Sequence, residues 1–318
     1  MPGRRTYARR LERDGFAVWE LRNRHLSLQV VPEIGAKIVS LVHQPTGREW
    51  MWHPPDGLRL FRNRPGDPFG DSTKAGADEC LPTLVACTWR GLDLPDHGEA
   101  WSLSWDLDEA AASRGVITTR VQLPVSPLAI ERSITIEANT VRLRYRLRNT
   151  GSGPFEYVWS LHPLLTVHED DRIVLPPEVT SVRVDNASAH ELRPRGTRIA
   201  WPAPAPGYRL DHREFRDPGA GIKVYTDPLR EGWAAIESRH EGIRFEFDTR
   251  QLDTLGVWIN RGACGGYTHV GLEPACCAPD PLDEAVRVWK RFRALECGAE
   301  ARWDLVLRLL GPASPLTP

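Results

Sequence analysis

Between residues 139 and 151 the sequence reads NTVRLRYRLRNTG, in which Val141, Leu143, Tyr145 and Leu147 alternate with Arg142, Arg144, Arg146 and Arg148. Successive side chains of an extended strand point to opposite faces, whereas a helix would scatter these apolar and basic residues around its whole circumference. The segment fits only a strand with one face buried and the other in water. The same alternation recurs in HLSLQVVP at 25–32, KIVSLVHQ at 37–44, GVITTRVQL at 115–123, IERSITIE at 130–137, GIRFEFD at 242–248 and RWDLVLRLL at 302–310. Turn residues separate these runs at short intervals: Asp14-Gly15, Pro45-Thr46-Gly47, Asn149-Thr150-Gly151 and Asp217-Pro218-Gly219.

Helical signals are few. PLDEAVRVWKRF at 281–292 has a proline and acids at its start and bases at its end, as a short helix should. RTYARRLER near the N-terminus is a second candidate. Many short strands with few short helices point to an all-β chain, a sandwich or a barrel. No fixed-period repeat and no low-complexity linker interrupts the 318 residues; WPAPAPGYR at 201–209 is short enough to be an ordered surface loop. All-β architectures often exceed about 200 residues as one unit, so residues 1–318 are expected to form a single domain.

A net charge of −1 gives no electrostatic basis for binding nucleic acid or an anionic membrane. The basic residues are nearly all arginine, with lysine only at Lys37, Lys74, Lys223 and Lys290, a pattern of coding bias rather than phosphate recognition. The basic start MPGRRTYARRLERDG leads into no apolar leader stretch, and no run approaches the roughly 18 residues that span a bilayer. A cytoplasmic protein is expected. Cys80, Cys87, Cys264, Cys276, Cys277 and Cys297 form no CxxC pair and no regular framework; the adjacent Cys276 and Cys277 could bind metal or form a redox pair, but read better as plain buried thiols, which behave as small hydrophobes.

Some segments are too polar or too oddly placed for plain strands and set ionisable groups beside Trp, Gly, Pro or another aromatic: AGADECLPT at 75–83, LPDHGEAWSLSW at 94–105, WSLHPLLTV at 159–167, YRLDHREF at 208–215 and LGVWINRGACGGYTHVGLEP at 255–274. His162 and Glu273 each interrupt an apolar run and precede a proline. Burying an unpaired carboxylate costs on the order of several kcal/mol, so such positions belong to ion pairs or to functional sites. Asp78, Glu79, His97, Asp211 and His212 are weaker candidates of the same kind. HExxH is absent and the histidines lack metal-ligand spacing, so no metal is expected. Phosphate-loop and dinucleotide fingerprints are missing too, and the GACGG stretch at 262–266 reads as a loop between two strands.

In order and spacing, DHG at 96–98, LHP at 161–163, the early VVPEIGAKIVSLVHQPTGREWMW at 30–52 and the late VWIN…GLEP at 257–274 together resemble the aldose 1-epimerase (galactose mutarotase-like) superfamily. The resemblance spans most of the chain. It implies a large twisted antiparallel β-supersandwich that binds a sugar on a concave face, with neither metal nor cofactor. By this match Glu273 falls where the family has its general base and His162 where it has its general acid. His97 falls near a second sugar-contacting histidine, and Asp211 near an acid that binds sugar hydroxyls.

Interconverting anomers requires taking a proton from the anomeric hydroxyl and giving one to the ring oxygen, so one base and one acid suffice. Each positioned proton transfer contributes roughly 10²- to 10⁴-fold. The sequence reading expects Glu273 ionised and His162 protonated, each stabilising the other. Trp258, like Trp101 and Trp159, offers a flat apolar face to a sugar ring, and Asp78 a hydroxyl acceptor. Two other readings stay open at this point. A glycoside hydrolase would pair Glu273 with Asp78 or Glu79, roughly 5 to 9.5 Å apart; a non-catalytic carbohydrate-binding protein would keep the aromatic face without using the His162 and Glu273 pair. The expected partner is a small-molecule sugar, bound by a monomer or homodimer.

Overall fold

A computed structural model describes residues 6–188, 194–212 and 219–311. The strand around the opening motif, Thr140–Asn149, buries Val141, Leu143, Tyr145 and Leu147 completely or nearly so. Its arginines face outward, where Arg142 and Arg146 meet Asp304 at 3.2 Å and Glu300 at 2.7 Å on the neighbouring strand Glu300–Leu310. Exposed pairs of this kind add about 0–1 kcal/mol each, while each buried leucine adds about 1.5–3, so the apolar face fixes the strand.

Around it the chain builds an eight-stranded sheet in the order Arg172–Val174, Trp233–Glu237, Gly242–Phe247, Glu300–Leu310, Thr140–Asn149, Leu128–Glu137, Ile117–Gln122 and Asp106–Leu107. A second sheet has twelve strands. Its middle run is Lys37–His43, Ala77–Cys80, Ser160–Pro163, Thr268–Ala275, Thr254–Arg261 and Ala220–Tyr225, each antiparallel to the next. The inner faces of the two sheets share one apolar core. A fully buried ion pair crosses it: Arg132 of the small sheet donates to Glu79 of the large one at 2.6 Å, with Tyr145 and Trp159 donating to the same carboxylate at 2.9 Å. The architecture is the expected antiparallel sandwich.

Two helical expectations change. The segment RTYARRLER contains the strand Tyr7–Arg13, paired with Phe16–Arg22 through Asp14 and Gly15. Both turn residues have positive φ, 50° and 79°, the requirement of a tight hairpin, and this turn overrides the local helical propensity. The 281–292 segment holds only a short α-helix, Leu282–Glu284, continued by wider helical turns over Ala285–Trp289. Among the described residues no helix is long and apolar enough to cross a membrane.

Candidate functional site

Adjacent residues on a strand face opposite ways, and this decides which acids can meet a ligand. On Ala77–Cys80, Glu79 points into the inter-sheet core, while Asp78 points to the outer face of the large sheet. His162 sits directly opposite Asp78 in the ladder and shares that outer face. On Thr268–Ala275 the alternation puts His269, Gly271 and Glu273 outward and Val270 and Leu272 into the core. The next two strands add Gly256 opposite Glu273, Trp258 opposite Gly271, and Lys223 opposite Trp258.

Asp78, His162, Lys223, Trp258 and His269 line a cavity of about 970 Å³, and Glu273 lies fully buried behind this lining. Trp52, Phe69, Trp258 and Tyr267 supply aromatic walls, and Asp185, Arg195 and Asp280 a polar one. That size lies within the range of small-molecule sites, and the mixture of flat rings and a few convergent polar groups suits an amphipathic ligand.

At the cavity lining, His162 Nε2 lies 3.6 Å from Oε1 of the fully buried Glu273. His97 stands edge to face with His162 at 5.2 Å between ring centres, and Phe69 stacks flat on His97 at 3.6 Å. The backbone of His97 is left-handed, φ 58°. Gly98 follows at φ 73°, and a Cβ there would fall 2.2 Å from the Leu81 carbonyl oxygen, so only glycine lets the turn close against the floor. A histidine kept in that conformation at a cavity marks a position where tertiary contacts override local preference.

Sequence reasoning did not single out Lys223, His269, Asp280 or Asp185. The Lys223 ammonium pairs with Glu273 Oε2 and lies 3.7 Å from Asp280 Oδ1, which also accepts from the Tyr225 hydroxyl. Asp185 accepts from Arg195 at 2.6 Å. His269 accepts from Trp258 Nε1 at 3.3 Å through its Nε2, which puts the proton of the neutral ring on Nδ1. Among the described residues, Asp78 Oδ1, His162 Nδ1, His269 Nδ1 and Glu273 Oε1 are buried polar atoms without a hydrogen-bond partner. Further such atoms lie elsewhere in the described residues, on Arg48, Trp50, Thr119, Arg132, Arg183, Glu241, Arg244 and Trp303.

The electrostatics differ from the expected charged pair. Burial, with His97, Lys223 and His269 close by, drives His162 well below its ordinary value, so the neutral imidazole is favoured. Burial raises the Glu273 carboxyl, with Lys223 opposing the rise and Asp280 adding to it. Burial likewise raises Asp78 against the pull of Lys37, which it meets at 2.7 Å. Asp185 is pushed up to about 7 by burial and by Asp280.

Of the residues singled out from sequence, the structure brings together Glu273, His162, His97, Asp78 and Trp258. Asp211 lies apart from them: its carboxylate is held by Arg209 at 2.6 Å with His212 3.7 Å away, its backbone carbonyl accepts from Ile173 beside the edge strand of the small sheet, and it does not line the cavity. Trp159 faces the inter-sheet core and Trp101 packs edge-on behind Phe69, so of the three candidate tryptophans only Trp258 lines the floor. Cys276 and Cys277 are buried, as expected of packing thiols. Among the described residues no group of three or more His, Cys, Asp or Glu could hold a metal ion.

Solved structures share this architecture over nearly the full chain. A galactose mutarotase-like protein from Clostridium acetobutylicum superimposes with a TM-score of 0.69 at 11% identity, covering 98% of this chain and all (100%) of that one. The fold is that of the galactose mutarotase-like proteins. A galactose mutarotase-like protein from Lactobacillus casei gives a TM-score of 0.69 at 17% identity, covering 92% of this chain and 99% of its own. A galactose mutarotase related enzyme from Lactobacillus acidophilus gives 0.68 at 16%, covering 95% and 100%. By sequence, no protein-family model and no curated protein matches the chain.

Proposed function

We propose that the protein is an aldose 1-epimerase, interconverting the α and β anomers of a sugar with Glu273 as base and His162 as acid. The observation that carries this reading is the 3.6 Å approach of Glu273 Oε1, buried behind the lining, to Nε2 of His162, which lines an aromatic-walled cavity. Glu273 takes the anomeric hydroxyl proton, the O–H electron pair becomes the second bond of the aldehyde, the C1–ring-oxygen bond breaks, and His162 protonates the released oxygen. Rotation about C1–C2 and the reverse transfers give the other anomer, so no net proton or electron is consumed.

The raised Glu273 carboxyl makes its carboxylate a stronger base than an ordinary one, while the acid step requires His162 to take up a proton that burial disfavours before substrate binds. Asp78, His97, His269 and Trp258 would bind the ring and its hydroxyls. A hydrolase pair of Glu273 with Glu79 is disfavoured, because Glu79 faces the other side of the sheet and is saturated by Arg132, Tyr145 and Trp159. On this reading residues 1–318 act as a single domain, a monomer or homodimer in the cytoplasm. The partner is a small sugar, the chemistry uses neither metal nor cofactor, and nucleic acid and membrane have no part.

The test is exchange NMR or polarimetry on freshly dissolved α-aldoses, with and without protein. At least one aldose should equilibrate faster, and Glu273→Gln should lower the enzymatic rate by about 100-fold or more. A broad panel in which no sugar is accelerated, or a Glu273→Gln protein as fast as the parent, would overturn the assignment.

A further inference from the structure

Lys223 is one of four lysines in the chain and lies in the wholly buried strand Ala220–Tyr225. Gly256 leaves room for its stem: a Cβ at that position would stand 3.1 Å from Lys223 Cε and 3.3 Å from Glu273 Cβ. Gly271 does the same for the other carboxylate oxygen, since a Cβ there would lie 2.9 Å from Glu273 Oε1. Two glycines thus flank the acid, one on the path to the lysine and one beneath the oxygen that faces His162.

We propose that Lys223 is the positioning residue of this site: its ammonium holds the Glu273 carboxylate ionised and occupies Oε2, so that Oε1 alone is left to accept a proton. Only the effect on reaction rate rests on the epimerase reading; the effect on the carboxyl group itself does not.

The groups around Glu273 explain why such a partner is needed. His162 Nε2 stands 3.6 Å from it, with Asp78 across the ladder from His162; Lys223 and Tyr225 come from the strand beyond Gly256, Asp280 lies beside Lys223 and interacts with Asp185, and the charges of Glu273 and of His97 and Cys80 influence one another. Lys37 is spent on Asp78 and on the Thr73 and Ala75 carbonyls, and Arg195 on Asp185 and Glu284. Lys223 is therefore the cation that meets Glu273 directly. Burial disfavours its charge, but Asp280 and Glu273 more than restore it and keep it protonated. Without it, burial and the Asp280 charge would act together to protonate Glu273 at neutral pH.

Lys223→Met keeps the stem and removes the charge. Two readouts apply. In difference infrared spectroscopy, with the Glu273 band identified by Glu273→Gln, the parent carboxyl should be ionised at pH 7 and the Lys223→Met carboxyl should titrate about one to three pH units higher. In the rate assay, the acid limb of kcat/KM should move up by the same amount while the rate recovers at alkaline pH. A parent protein whose Glu273 is protonated at pH 7 overturns the proposal without any variant having to fold. So does a Lys223→Met protein whose titration and acid limb stay at the parent's position, even if its rate is lower. A shifted infrared titration in a protein that accelerates no sugar would leave Lys223 its role and remove the epimerase reading instead.

Discussion

Burial pushes the His269 imidazole from an ordinary 6.5 down to about 4, and it is the only cause of the shift. The ring is 5% exposed, enclosed by Trp52 at 5.2 Å and by the indole of Trp258, whose N–H it accepts. Between pH 6.5 and 4 the unfolded chain therefore binds a proton that the folded protein refuses, and stability falls as pH falls through that window. At about 1.4 kcal/mol for each factor of ten in proton affinity, the full loss is about 3 kcal/mol, complete near pH 4 and absent above pH 6.5. His269→Phe retains the ring volume and cannot titrate. It strands the Trp258 N–H at a cost of about 1 kcal/mol that does not vary with pH. It also removes the repulsion that a charged His269 exerts on His162, which acts in the same direction. Urea unfolding at pH 7, 6, 5 and 4 and constant ionic strength should show the parent losing about 3 kcal/mol more than the variant over that range. Parallel curves would refute the reasoning and place His269 in water in the folded protein.

The two faces of Ala77–Cys80 and the position of Asp211 give further tests. Glu79→Gln leaves the Arg132 charge buried without its counter-charge, and equilibrium unfolding should register a loss of about 3 kcal/mol or more; a loss below 1 kcal/mol would mean that water reaches the inter-sheet pair. Asp211→Asn weakens a pair whose arginine is half exposed and a 3.7 Å approach to His212, so stability should change by less than about 1 kcal/mol, with anomer exchange untouched. A tenfold slower exchange would return Asp211 to the site.

The strands could be read from sequence because their alternation is dictated by a buried and a wet face, and tertiary contacts only reinforce it. The N-terminal segment was misread because Tyr7–Arg13 is an exposed edge strand whose pattern, unlike that of Thr140–Asn149, carries no alternation to oppose helix formation. His162 and Glu273 stood out as charges in apolar runs. Lys223 gave the same signal in AGIKVY, and with so few lysines in the chain a buried one invited the same question. Asp185, Asp280 and His269 gave less: they reach the cavity through register and loop placement, which single segments do not encode. The place of Asp211 was hidden for a related reason, since an acid beside a histidine looks alike at a cavity and at a surface ion pair.

Register also explains how a sheet can hold a carboxylate where no water reaches it. A residue directly across the ladder from Glu273 would normally project its side chain into the same space; there the chain has Gly256, and the position across from Trp258 is Gly271. With both side chains missing, the acid lies flat against the sheet, and the lysine two strands away crosses the gap to meet it. The burial that raises Glu273 and lowers His162 is thus a product of strand pairing, and the lysine offsets part of it at the carboxylate. The sheet fixes the separation of the two groups and their proton affinities at once, so a change at either glycine would alter both.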